Sequence, residues 1–197
     1  MRLLTFTLNH SEPLIGIRTN EKILNLKEAA KIAGEIGMPS NMKALLAAGP
    51  EGMARVRNLN SKALSDATTF QSAWLDKASI TYLPPIVDAD KFLCVGKNYR
   101  KHLEELQQTN LIKEIPQEPT GFIKLNSCLV GHEAQVKKPD GIVRLDYEPE
   151  LVFVMGKRAL GVKKADAFNY IAGVTILNDL TCRDLQQREV ASGSRFW

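Results

Sequence analysis

Between Leu145 and Val154, two glutamates stand at the head of an apolar run: Glu148-Pro149-Glu150 leads into Leu151-Val152-Phe153-Val154. The β-branched and aromatic content of that run predicts a strand over Glu148 to Met155, closed by Gly156. On a strand, residues two apart share a face, so both carboxylates point the same way. Like charges side by side repel and raise each other's pKa. Placing them where an apolar strand begins is costly unless a cation lies between them. Two carboxylates and a third, completed by waters, make the usual oxygen shell of magnesium or manganese. The same spacing also suits the wet face of an edge strand, and Pro149 agrees with an edge position.

Asp179 is the candidate third ligand. It ends an apolar strand, Val174 to Leu177, in the turn Asn178-Asp179-Leu180-Thr181, and a strand end is a place where the framework fixes a side chain. Arg183, four residues on, is positioned to brace Asp179 by a salt bridge. Gln186 can reach a substrate, although a helix surface suits it better.

The second constellation is Gly96-Lys97-Asn98-Tyr99-Arg100-Lys101-His102-Leu103-Glu104-Glu105. On a helix His102 and Glu105 are three apart and can touch. A carboxylate there fixes the imidazole tautomer and raises its basicity, which makes a general base for activating water. A solvent-exposed helix that carries a histidine fits the same residues. Lys124, just after Phe122-Ile123, suits catalysis, anion binding or plain exposure. Tyr99, Lys124, Arg183 and Gln186 are the candidate substrate contacts.

The remaining features narrow the class. A length of 197 residues allows one substantial domain, or one with a small companion. The net charge of +4 is spread out, its densest patches being Lys137-Lys138 and Lys163-Lys164. With no basic stripe or reading motif, nucleic acid is not an expected partner. Cys94, Cys128 and Cys182 are far apart and lie in or beside apolar runs, which suits buried free thiols in a reducing compartment. Met1 to Phe6 lacks the apolar stretch of a secretory leader. No run approaches the roughly 20 residues of a membrane span. A cytoplasmic protein with no membrane partner is expected.

Along the chain, strands are predicted over 3–8 and 14–17 around the turn Asn9 to Pro13, and at Ile23-Leu24. Asn25 with Glu28 fits a capping box, opening a helix that uses Leu26, Ala30, Ala33 and Ile36 and ends at Gly37 and Pro39. Further helices start at Ser40 and Glu51, and Ile80 to Leu83 is a strand cut by Pro84-Pro85. Short strands with scattered short helices argue α+β, not a βαβ series. The predicted organisation is a small N-terminal α+β domain over 1–77, a linker over 78–90, and a catalytic domain over 91–197.

Three stretches together resemble the fumarylacetoacetate hydrolase family. Gly96 through Asn98-Tyr99, His102 and Glu105 resembles its Gly-x-Asn-Tyr-x-x-His-x-x-Glu signature. Asp146-Tyr147-Glu148-Pro149-Glu150-Leu151 resembles its Asp-Tyr-Glu-x-Glu-Leu strand. Gly173 through Asn178-Asp179 to Arg183-Asp184-Leu185-Gln186 resembles its Asn-Asp-x-x-x-Arg-Asp-Leu-Gln segment. Phe122-Ile123-Lys124 matches a further element. The resemblance implies a mixed β-roll catalytic domain, a homodimer, and Mg2+ or Mn2+ on Glu148, Glu150 and Asp179, with Ca2+ able to take the same shell in crystals. It implies that His102 and Glu105 form the water-activating dyad. It implies a 2-oxo acid substrate, with divalent-metal-dependent hydrolysis of a C–C bond in an acylpyruvate-like 2,4-dioxo acid as the leading reaction. The alternatives are an isomerase, decarboxylase or hydratase acting on a 2-oxo diacid, and a catalytically silent homologue that keeps the shell. The family pattern continues for several tens of residues past Trp197 and carries a further catalytic lysine there, so a C-terminally incomplete chain is expected.

Overall fold

The computed structural model describes residues 1–96, 98–108, 118 and 120–193; for His102, Glu105 and Leu106 it describes the backbone only. The chain opens with β1 (Arg2–Thr7), β2 (Leu14–Thr19) and β3 (Lys22–Asn25), an antiparallel meander in which Leu4 faces Gly16 and Ile17 faces Leu24. Within the connection from β1 to β2, Asn9 and His10 form a tight turn at positive φ, 46° and 58°, closed by the Ser11 N–H donating to the Leu8 carbonyl at 2.9 Å.

Asn25 then caps α1 (Leu26–Ile32), its side-chain oxygen accepting from the N–H groups of Lys27 and Glu28 at 3.1 and 3.4 Å. The helix stops earlier than the sequence predicts. Gly34, at φ +66°, takes the left-handed C-terminal position that Gly37 was expected to fill. Ile36 therefore leaves the apolar face and is 93% exposed. Asn41 caps α2 (Met42–Ala47), and α3 (Gly49–Ser65) follows with Pro50 in its first turn, where a missing N–H is harmless. β4 (Trp74–Asp76) and β5 (Thr81–Leu83) complete a five-stranded sheet of order β4-β3-β2-β1-β5.

This sheet and its helices hold the main core. Ile15, Ile17, Leu24, Leu26, Leu45, Val56 and Leu59 are fully buried together, each burial contributing roughly 1.5–3 kcal/mol. β5 lies within the segment expected as a linker and pairs with β1, while the Thr5 hydroxyl donates to the Pro85 carbonyl at 2.6 Å. The following segment packs closely on β5. A Cβ at Gly131 would lie 1.9 Å from the Tyr82 carbonyl oxygen, so only glycine fits there.

The remaining elements are β6 (Leu93–Gly96), α4 (Arg100–Gln108), β7 (Thr120–Ile123), β8 (Leu145–Asp146), β9 (Pro149–Met155), β10 (Ile171–Asn178), β11 (Thr181–Cys182) and α5 (Arg183–Ala191). They form three antiparallel ladders, β6 with β7, β8 with β11 and β9 with β10. The antiparallel pairing and segregated helices make the chain α+β. On one face of the β9–β10 ladder Leu151, Phe153, Val174 and Ile176 are exposed; on the other Glu150, Val152, Thr175 and Leu177 are half-buried. All three cysteines are free, yet none is buried: Cys94 and Cys182 are half-buried, and Cys128 is exposed in a short turn over Asn126–Cys128. No described helix is long and apolar enough to cross a membrane.

Candidate active site

The site grows from the end of the β9–β10 ladder. Pro149 opens β9 and Asn178 closes β10, and the two are register partners. The residues just outside them, Glu148 and Asp179, are therefore adjacent. The Asp179 N–H donates to the Glu148 carbonyl at 2.7 Å, and the Glu148 N–H donates to the Asn178 side-chain oxygen at 3.0 Å. The β8–β11 ladder then sets Thr181 opposite Asp146. From there the Thr181 hydroxyl donates to Glu148 Oε2 at 2.7 Å.

Arg183, the first residue of α5, sits at the centre of this acidic group with only 13% of its side chain exposed. Its Nε donates to Asp146 Oδ2 at 2.8 Å, its Nη1 to Gln186 Oε1 at 2.8 Å, and its Nη2 pairs with Glu148 Oε1. Burial opposes its charge, but the bonds to Asp146 and Glu148 outweigh burial and hold the guanidinium above its ordinary pKa. The brace expected between Arg183 and Asp179 is not formed. Pairing of β11 with β8 directs the start of α5 toward Asp146, a relation four-residue spacing does not reveal. Gln186 is engaged by Arg183.

Asp179 is met instead by Lys124. The Lys124 N–H extends the β6–β7 ladder by donating to the Phe92 carbonyl at 3.0 Å, and its Nζ lies 2.7 Å from Asp179 Oδ1. Both side chains are largely enclosed, at 24% and 14% exposure. Cys94, on β6, senses the same group. Burial holds its thiol above the ordinary range, Lys124 pulls it down, and Asp179 and Glu150 push it up.

Glu150 has a neutral partner. The Tyr99 hydroxyl donates to Glu150 Oε2 at 2.9 Å and accepts the Leu151 N–H at 3.3 Å. The His102 and Glu105 side chains lie outside the described residues; the backbone at both positions is part of α4.

As donors, Glu148, Glu150 and Asp179 are hard carboxylate oxygens of the kind magnesium and manganese take. Asp179 pairs with Lys124, Asp146 and Glu148 pair with Arg183, and Glu150 meets the neutral Tyr99 hydroxyl. The arrangement is not that of a closed shell: among the described residues, no three His, Cys, Asp or Glu side chains are gathered so as to hold a metal ion. The donor type fits such an ion, and Arg183, Lys124 and Tyr99 are the groups that contact Glu148, Asp179 and Glu150.

Asp146, Asn178 and Thr181 were not singled out as site residues from the sequence. Asp146 carried a signal, since it continues the two-residue alternation of Glu148 and Glu150. Asn178 and Thr181 act through ladder ends that no local pattern marks.

Residues 91–196 match a family model described as fumarylacetoacetate (FAA) hydrolase, C-terminal. The chain is 34% identical over 172 residues to an oxaloacetate tautomerase of Bacillus subtilis, covering 86% of this chain and 56% of that protein. It is 31% identical over 191 residues to a mitochondrial oxaloacetate tautomerase of Homo sapiens, covering 95% of this chain and 55% of the relative. The chain thus spans about half the length of these curated relatives. In structure it resembles a maleylpyruvate hydrolase of Sphingobium, solved with manganese(II) and pyruvate, at a TM-score of 0.64 and 21% identity over 93% of this chain and 60% of that one. That likeness shows the β-roll type of fold expected from the sequence. With more than half of its length matched by the family model, the chain belongs to the fumarylacetoacetate hydrolase family.

Proposed function

We propose that this protein interconverts the keto and enol forms of a 2-oxo diacid of the oxaloacetate class with the help of a divalent ion. The observation that carries this reading is the junction of β9 and β10, where Glu148 and Asp179 adjoin and Asp179 carries the Lys124 ammonium at 2.7 Å. The isomerase alternative is better supported than C–C hydrolysis, because the two curated relatives described above are oxaloacetate tautomerases.

The chemistry is a proton relocation. One proton leaves C3 of the keto acid, one is added at the C2 oxygen, and no bond between heavy atoms breaks. Negative charge develops on the C2 oxygen as the C3 proton departs. Lys124 Nζ places a positive charge in the cluster to stabilise that oxygen. To His102, with Glu105 holding its tautomer, we assign proton transfer at C3. Arg183 keeps the Glu148 carboxylate oriented. When bound, a magnesium or manganese ion held by Glu148, Glu150 and Asp179 supplies Lewis-acid polarisation of the 2-oxo group.

The test follows the enol absorbance of oxaloacetate with magnesium or manganese present. Wild type is expected to exceed the buffer-and-metal rate, and Asp179→Asn to lose about 100-fold or more of that acceleration. No acceleration by wild type, or preferential cleavage of an acylpyruvate, would overturn the tautomerase reading.

A further inference from the structure

We infer that Tyr99 is a positioning residue, tying the start of α4 to Glu150 and to the open edge of β9, and so fixing where α4 stands relative to the carboxylate cluster. The inference rests on that cluster being the active site.

Tyr99 engages both structures at once. Its main-chain carbonyl accepts the Leu103 N–H at 3.0 Å, which makes it part of the first turn of α4. Its hydroxyl reaches β9, where it donates to Glu150 Oε2 at 2.9 Å and accepts the Leu151 N–H at 3.3 Å. Alternate N–H groups of an antiparallel strand point away from the partner strand, and the Leu151 N–H is satisfied by this hydroxyl. A phenol has one proton to donate, and here Glu150 takes it. The group is therefore committed to the protein, so Tyr99 acts on the reaction through Glu150 and α4.

The attachment depends on the polar tip. Tyr99 is 43% exposed, so burial of its ring is incomplete, whereas Leu103 on the next turn is 9% exposed. Leu103 anchors α4 by apolar burial, and the Tyr99 hydroxyl sets the end nearest the carboxylates. A hydrogen bond to an ionised acceptor is stronger than a neutral one and is directional. It orients the Glu150 carboxylate as second-layer partners orient metal-binding carboxylates.

The experiment compares amide hydrogen exchange of the wild-type chain with Tyr99→Phe, which keeps the ring, and with Glu150→Ala, which removes the acceptor. No substrate or metal is added. Both variants should speed exchange in the α4 amides by about tenfold while the β9–β10 ladder and the N-terminal sheet stay as in wild type. In turnover, Tyr99→Phe should lower kcat about tenfold with KM within about twofold of wild type. Wild-type exchange in α4 of Tyr99→Phe would overturn the inference, as would a raised KM at unchanged kcat, which would place the hydroxyl on substrate. Exchange is read without any reaction. Loosened α4 in a protein that fails to tautomerise oxaloacetate would therefore support this inference and defeat only the functional reading.

Discussion

The Lys124 ammonium lies 2.7 Å from the Asp179 carboxylate, joining the residue after β7 to the residue after β10. Across the Asp179 N–H to Glu148 carbonyl bond, Arg183 pairs with Glu148 and Asp146. Lys124, Thr181 and Arg183, the donors to Asp179, Glu148 and Asp146, lie at or just after ladder strands.

Replacing Lys124 with Met should separate two roles of that ammonium. Turnover is expected to fall about 100-fold, because the charge facing the developing oxyanion is gone. Manganese affinity should rise, since Asp179 no longer has a competing cation. Steady-state kinetics and calorimetric titration of the same preparation check both.

Arg183→Gln leaves the half-buried Glu148 and the more exposed Asp146 without their shared cation. Unfolding in urea should show a loss of about 2 kcal/mol. Arg183→Lys should recover only part of it, because a single ammonium cannot reproduce the planar fork that serves Asp146, Glu148 and Gln186.

Cys94 should be the slower thiol. Burial raises its pKa against the pull of Lys124, whereas Cys128 is exposed. Alkylation at about pH 8, read by peptide mass, should label Cys128 first. The sign for stability follows. A thiol whose folded pKa is raised favours the folded state fully below its unfolded pKa, and that contribution is lost as pH rises through the folded value. The urea midpoint should therefore fall above about pH 8.5, and Cys94→Ser should remove that part of the fall.

Away from the site, Asn25→Ala removes the oxygen that caps α1. Thermal or urea unfolding should report a loss of about 1 kcal/mol. Asn25→Ser should restore most of it, because serine can accept the same N–H groups.

Much of the scaffold was legible in local pattern. The β-branched runs of β9 and β10 and the cap at Asn25 announce themselves because period and capping chemistry are short-range. α1 stops before Gly34 rather than at Gly37; both glycines take positive φ, and the local sequence does not rank them. The partner of Arg183 was misjudged for a different reason. Its geometry depends on β8 meeting β11 across 35 residues of chain, from Asp146 to Thr181, and spacing along α5 carries no trace of that. The Tyr99 tether is of the same kind. Lys124, Arg183 and Tyr99 stand out in the sequence as candidates, but the carboxylate each one meets depends on ladder ends that local pattern does not mark.

We propose that Glu148, Glu150 and Asp179 are the ligands of a functional divalent ion. Manganese titration followed by electron paramagnetic resonance tests it most directly, on wild type, Asp179→Asn and His102→Ala. Saturable binding is expected of wild type and His102→Ala, and its loss in Asp179→Asn. Manganese that stays free with wild type, or that binds Asp179→Asn as tightly as wild type, would contradict it.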